Sequence, residues 1–278
     1  MKVPGSQLYT GGQTSYLRKI TDYAIEKHNM HIIIDIHSLP GGINGQGIGE
    51  ANGHYGWYNN ATALDYSYQA VESVIAFIQS SKYPQHFTVE PINEPVDNRD
   101  FSAFGSPLAL SDAGAQYLTN FYKGVLARVG KINARIPVMF QDGFKGEPYF
   151  SPSFSASANL VFDIHNYYFA GRPVSSSNVT SYICADAKLS AGDGKFPTFV
   201  GEWSIQTLLD NKLSKREDIF DTAVSAFNRY TRGNAYWTAK FVGNGSVNGA
   251  GTQKDYWNLE TFYKLGFLPY NTPKNCCQ

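Results

Sequence analysis

The stretch "FTVEPINEP" (residues 87–95) is an apolar, β-branched run that ends on an amide, a carboxylate and a ring that cannot continue a strand ladder. A strand finishing in Asn93, Glu94 and Pro95 presents chemistry at its C-terminal end, where a parallel β/α barrel builds its active site. Segments of the same kind lie on both sides of it: "HIIIDIH" (31–37), "IPVMFQD" (136–142), "LVFDIHNYY" (160–168), "PTFVGEW" (197–203) and "NAYWTAKF" (234–241). Between them, helical spacing is read over 14–29, 63–81, 112–130 and 216–231, and in the first of these Leu17, Ile20, Tyr23, Ala24 and His28 recur on one side. Strands alternating with helices predict a parallel sheet wrapped by helices, and no linker or low-complexity stretch divides the chain. The expectation is one β/α domain over residues 1–278 with six strands.

Six such strands fit either an open doubly wound sheet or most of a barrel. The first alternative calls for a glycine fingerprint that opens a helix directly after a strand. "GGINGQG" (41–47) instead lies inside a long glycine-rich loop, 38–60, and is weak as a phosphate cradle. The barrel is favoured because polar groups gather at strand C-terminal ends.

Lys+Arg and Asp+Glu balance at 23 each and charged residues make up 17%, so no nucleic-acid or acidic-membrane footprint is visible. Aromatic residues reach 15%, with 19 Tyr and 18 Phe, enough for a core and for a surface that stacks on sugar rings. No apolar run reaches the roughly 18 residues of a membrane span. Cys184, Cys276 and Cys277 permit one disulfide that ties the tail back to Cys184, with one thiol left over. Three sequons begin at Asn60, Asn178 and Asn244. Cysteines and sequons together favour a secreted protein, extracellular or in a cell wall, although "MKVPGSQLYT" at the start holds no signal-peptide h-region.

His37, Asn93-Glu94, His165 with Tyr167, Glu202 with Trp203, and Trp237 each fall at or near the end of a different strand segment. Singly, a strand-end Glu is more often a solvated charge, and a His or Trp more often a core residue. Their shared placement points instead to glycoside hydrolysis, in which one carboxyl protonates the leaving oxygen and a second faces an oxocarbenium-like centre. Glu94 and Glu202 are the candidates. A separation of about 5 Å gives retention of configuration, and roughly 6.5–9.5 Å leaves room for water and gives inversion. Asn93 suits a sugar 2-OH, Tyr167 the nucleophilic carboxylate, His37 and His165 neighbouring hydroxyls and side chains, and Trp237 an apolar floor for the sugar. A metal site built from His37, His165, Glu94 and Glu202 ranks lower, because no HExxH or comparable spacing is present, and no GxSxG elbow supports a serine hydrolase. No cofactor is expected.

At these residues the chain resembles glycoside hydrolase family 5 and, within it, the fungal exo-β-1,3-glucanase group. "NEP" (93–95) is similar to that family's acid/base motif and "GEWS" (201–204) to its nucleophile motif; "IDIHSLPGGING" (34–45), "DIHNYY" (163–168) and "YWTAKF" (236–241) are similar to its third, sixth and eighth strand segments. The resemblance implies a TIM-type (β/α)8 barrel of the α/β class, here lacking its first two strands, the second of which carries an arginine that supports the nucleophile. It implies Glu94 as acid/base and Glu202 as nucleophile of a retaining β-glycosidase, with His37, Asn93, His165, Tyr167 and Trp237 at the sugar site and a disulfide between Cys184 and Cys276. Ser38 stands where Gly is usual, and Ala239 where a further Trp is common. The implied substrate is β-1,3-glucan or another β-glucoside. The alternative is a relative that has lost catalysis and binds β-glucan without cleaving it.

Overall fold

Helix α1 (Thr14–His28) stops where Asn29 takes a left-handed conformation (φ 50°) and its N–H closes onto Ile25 O at 2.9 Å, a position Asn tolerates and branched residues do not. The structure, a computed structural model, describes residues 3, 7–267 and 277, which divide into two compact units. The first comprises the described residues up to 101 together with 108–143 and 152–161; the second comprises 102–107, 144–151 and the described residues from 162 on.

In the first unit α1 leads to β1 (Ile32–Asp35), α2 (Ala61–Gln79), β2 (Phe87–Glu90), α3 (Asp112–Asn133) and β3 (Val138–Gln141). β1 and β2 pair in parallel from Ile32↔Phe87 to Asp35↔Glu90, and β2 joins β3 through Val89↔Val138. Both β2 and β3 are buried throughout, as strands covered on two faces must be. Asn60 caps α2, its side-chain oxygen accepting from the N–H groups of Thr62 and Ala63 at 3.1 Å, and Ser111 caps α3 by accepting from Gly114 N–H at 3.0 Å. Tyr122 of α3 stacks on Phe140 of β3 at 3.8 Å and donates its hydroxyl to Gln141 O at 2.6 Å. The spacing in α1 places Ile20 and Tyr23 towards the core, yet they are 64% and 58% exposed, and the buried positions are Thr21 and Ile25. Arg18 sets that rotation. Its guanidinium lies 3.8 Å over the Phe77 ring and donates to Phe77 O and to Ser80 Oγ, which ties that side of the helix to α2.

The second unit holds the short α4 (Glu147–Phe150), most of β4 (Leu160–Tyr168), α5 (Val179–Ser190), β5 (Thr198–Thr207), α6 (Arg216–Tyr230), β6 (Asn234–Tyr236), α7 (Gln253–Trp257) and α8 (Leu259–Lys264). β4 pairs with β5 and β5 with β6, again in parallel. Trp203, Phe220, Phe227, Tyr236 and Phe262 fill its core, meeting edge-on or tilted at ring separations of 4.8–5.7 Å. Helix α5 has no counterpart among the helices expected from sequence. β6 ends at Tyr236, well short of the expected 241. No helix among the described residues is long and apolar enough to cross a membrane.

One expected pairing is corrected. Cys184 of α5 is bonded to Cys277, not to Cys276, with the two Cα atoms 5.3 Å apart, within the ordinary range for a bridge. A sulfur makes one such bond and neighbouring side chains diverge from the backbone, so only one of two adjacent cysteines meets a given partner. Cys276 lies outside the described residues.

Candidate active site

In the first unit the loop after β1 carries His37, and the segment after β2 carries Asn93 and Glu94. Asp35 Oδ2 lies 2.6 Å from His37 Nδ1, and Asn93 Nδ2 lies 3.3 Å from His37 Nε2. The network assigns the ring proton to Nδ1, donated to the carboxylate, while Nε2 accepts from the amide. Both ring nitrogens are thereby engaged within this network.

Glu94 is 4% exposed and sits at φ 45°, a left-handed conformation for a residue with a Cβ. Such backbone persists only where its surroundings over-determine it, and it concentrates at functional sites. Here the support comes from the glycine-rich loop: the buried Asn44 donates its side-chain amide to Glu94 O at 3.2 Å, and Val96 N–H donates to Ile43 O at 3.1 Å. A Cβ on Gly49 would stand 2.1 Å from Asn44 Oδ1, so the glycine there is required by the side chain that holds Glu94.

In the second unit β4 and β5 bring His165, Tyr167 and Glu202 together. Tyr167 donates its hydroxyl to Glu202 Oε2 at 2.8 Å, and His165 Nδ1 faces the same oxygen at 3.6 Å. His165 Nε2–H donates to Asp163 Oδ2 at 2.9 Å. Trp257 of α7 stacks on the Tyr167 ring at 5.4 Å and donates its indole N–H to Gln206 Oε1 at 2.5 Å, while Phe169 meets both rings edge-on at 5.1–5.2 Å. Trp237 follows β6, its N–H bound to Trp203 O at 2.8 Å and its side chain 37% exposed. Trp203 itself, 2% exposed, is a core residue.

The candidates thus form one linked pair in the first unit, His37 with Asn93, and one linked trio in the second, His165, Tyr167 and Glu202. Asp35, Asn44, Asp163 and Trp257 also belong to these networks and are not among the residues singled out from sequence. A signal for two of them is present: "DIH" occurs at 35–37 and again at 163–165, and period-two alternation puts Asp and His on one side of each strand segment.

The Cellulase (glycosyl hydrolase family 5) model matches residues 5–242. The chain belongs to glycosyl hydrolase family 5. It is 26% identical over 205 residues to a protein of Aspergillus niger named "Probable glucan 1,3-beta-glucosidase A", and the match covers 70% of this chain and 44% of that relative, so the chain spans less than half the length of the curated relatives it matches. A namesake from Neosartorya fischeri is 28% identical over 203 residues, with 70% of this chain and 44% of that protein covered. Among solved structures, a rutinosidase from Aspergillus niger is 51% identical with a TM-score of 0.95, covering 98% of this chain and 75% of that one. A protein called AoRut is 55% identical with a TM-score of 0.94, covering 96% and 74%. The chain therefore has the β/α-barrel fold class of this family, with six parallel strands among its described residues.

Proposed function

We propose that the chain carries the catalytic groups of a retaining β-glycosidase, that Glu202 is its nucleophile and Glu94 its acid/base, and that residues 1–278 act as one catalytic domain. The observation that carries this is the setting of Glu202: one oxygen is held by the Tyr167 hydroxyl and faced by His165, and the family of the chain is one of glycosyl hydrolases. In the first step Glu202 attacks the anomeric carbon, the bond to the leaving oxygen breaks, and Glu94 gives that oxygen its proton. In the second, water attacks the same carbon, the Glu94 carboxylate takes the water's proton, and the ester to Glu202 breaks. Asn93, His37, His165 and Trp237 are assigned to the sugar, the amide to its 2-OH and the indole to its apolar face.

The substrate is a β-glucoside. The curated relatives are named for 1,3-β-glucan and support release of glucose from its chain ends. A second reading is favoured by identity, because the match to the rutinosidase is 51% over nearly the whole chain, against 26% over 205 residues for the glucan-named relative. On that reading the leaving group is a rutinoside's aglycone. Cleavage of a rutinoside and of a laminari-oligosaccharide, compared by kcat/KM, separates the two. Secretion is supported by the disulfide and by the three sequons.

The deciding experiment is Glu202→Gln on an aryl β-glucoside. Turnover is expected to fall by more than about 10³-fold, with the β-anomer as the first product of the parent enzyme seen by NMR. Near-parental activity of the variant refutes the assignment, as does an α-anomeric first product. Heat of binding to laminari-oligosaccharides with no sugar released by the parent chain supports the non-cleaving alternative.

A further inference from the structure

The pairing of β4 with β5 slips by one residue immediately before Glu202. Ile164 is opposite Val200, but His165 is opposite Glu202, so Gly201 is the extra residue of a β-bulge. The bulge decides which way the carboxylate points. Val200 and Trp203 both lie in the core cluster with α5 and α6, although three positions separate them, and strict alternation would place residues three apart on opposite faces. The extra residue absorbs the difference and turns Glu202 to the face where Tyr167 and His165 meet it.

The bulged residue is pinned by one side chain. Gly201 N–H donates to Asp163 Oδ1 at 2.6 Å, while the second oxygen of the same carboxylate accepts His165 Nε2–H at 2.9 Å. Asp163 is 1% exposed, so both bonds are made away from competing water. A Cβ on residue 201 would fall 2.1 Å from Asp163 Oδ1 and 2.5 Å from Oδ2. Residue 201 is glycine because the carboxylate occupies the space of a side chain.

We infer that Asp163 is a positioning residue for the glycosidase reaction: it locks the Gly201 bulge that aims Glu202 and, through its other oxygen, fixes the ring of His165 beside that nucleophile. The inference rests on the assignment of Glu202 proposed above. Asp163→Asn separates the two bonds, since its amide oxygen still accepts Gly201 N–H while its amide nitrogen cannot accept from His165. Asp163→Ala removes both.

With an aryl β-glucoside, D163N is expected to lower kcat about tenfold and D163A about 100-fold, the scale set by ångström-sized misplacement of a reacting group, with KM changed less than about threefold. Trapping of Glu202 by a 2-deoxy-2-fluoro-β-glucoside, read by mass spectrometry, should slow in the same order. The Gly201 amide should stay protected from hydrogen exchange in D163N and lose protection in D163A, a readout that does not depend on activity. Gly201→Ala should resemble D163A, and D163A/G201A should be no worse than D163A alone, because the added methyl then has room. The inference is overturned if D163A keeps kcat within about threefold of the parent while E202Q is inactive. It is also overturned if the double variant loses activity additively, or if Gly201 stays protected in D163A. An active E202Q would instead remove the assignment beneath it.

Discussion

Glu94 illustrates how a single residue is held in a conformation its side chain disfavours. The amide of Asn44 caps the Glu94 carbonyl at 3.2 Å, and both residues are buried, at 2% and 4% exposure. Asn44→Ala leaves that carbonyl without this donor, which costs about 1–3 kcal/mol, and it frees the backbone that aims the proposed acid/base. The expected outcome is a lower melting temperature together with a lower kcat, measured by thermal unfolding and by turnover of an aryl glucoside. Glu147 makes a different kind of demand. It is fully buried, and that burial raises its carboxyl above the ordinary range, while the Asp193 N–H, bonded to Oε2 at 2.8 Å, pulls it down. A carboxyl raised on folding stabilises the protein fully below its unfolded pKa, and that contribution is lost as pH rises through the raised folded value. Glu147→Gln keeps an oxygen for Asp193 N–H without a charge. In urea titrations the variant should match the parent near pH 4 and be the more stable of the two at pH 7; equal midpoints at both values would contradict this.

At the scale of elements, the start of α2 depends on Asn60, which accepts from two N–H groups and donates to Gly56 O at 2.9 Å. Asn60→Ala is expected to destabilise the fold by about 1 kcal/mol, whereas Asn60→Asp keeps the acceptor. Because both variants also delete the sequon, a difference between them in chemical denaturation reports the cap and not a glycan. Most elements were legible because their patterns are local: the continuous apolar runs that became β1 to β5 and the periodicity behind α2, α3 and α6. The face of α1 was not, since Arg18 reaching across to Phe77 and Ser80 is a long-range choice. Helix α5 was missed although four of its residues are buried. The segment after Tyr236 reads as strand from its aromatic and β-branched composition, but only Trp237 N–H still bonds to β5, at Trp203 O, and from Thr238 on the backbone bonds go to α7 and α8: Thr238 N–H to Trp257 O at 2.7 Å and Glu260 N–H to Ala239 O at 3.1 Å. The same contrast holds for the candidate site. His165, Tyr167 and Glu202 announce themselves by residue type, whereas Asp163 and Asn44 matter for what they hold, which only the fold reveals.

For the molecule as a whole, its four tryptophans occupy unequal settings. Trp57 and Trp203 are sealed in the core at 0% and 2% exposure, and Trp237 is 37% exposed. Trp257 is the one stacked on the tyrosine that holds Glu202. On the proposed assignment of Glu202, Trp257 is a built-in optical gauge of the nucleophile. Esterification of Glu202 removes the charge that Tyr167 serves and disturbs the ring beneath the indole, so ultraviolet emission should change as the sugar ester accumulates and return as water clears it. In stopped-flow mixing with a fluorinated glucoside the signal should rise with the rate of trapping and be largely lost in Trp257→Phe; an unaltered signal in that variant would assign the light to another indole. No dye or coupled enzyme would then be needed to time the two halves of the reaction.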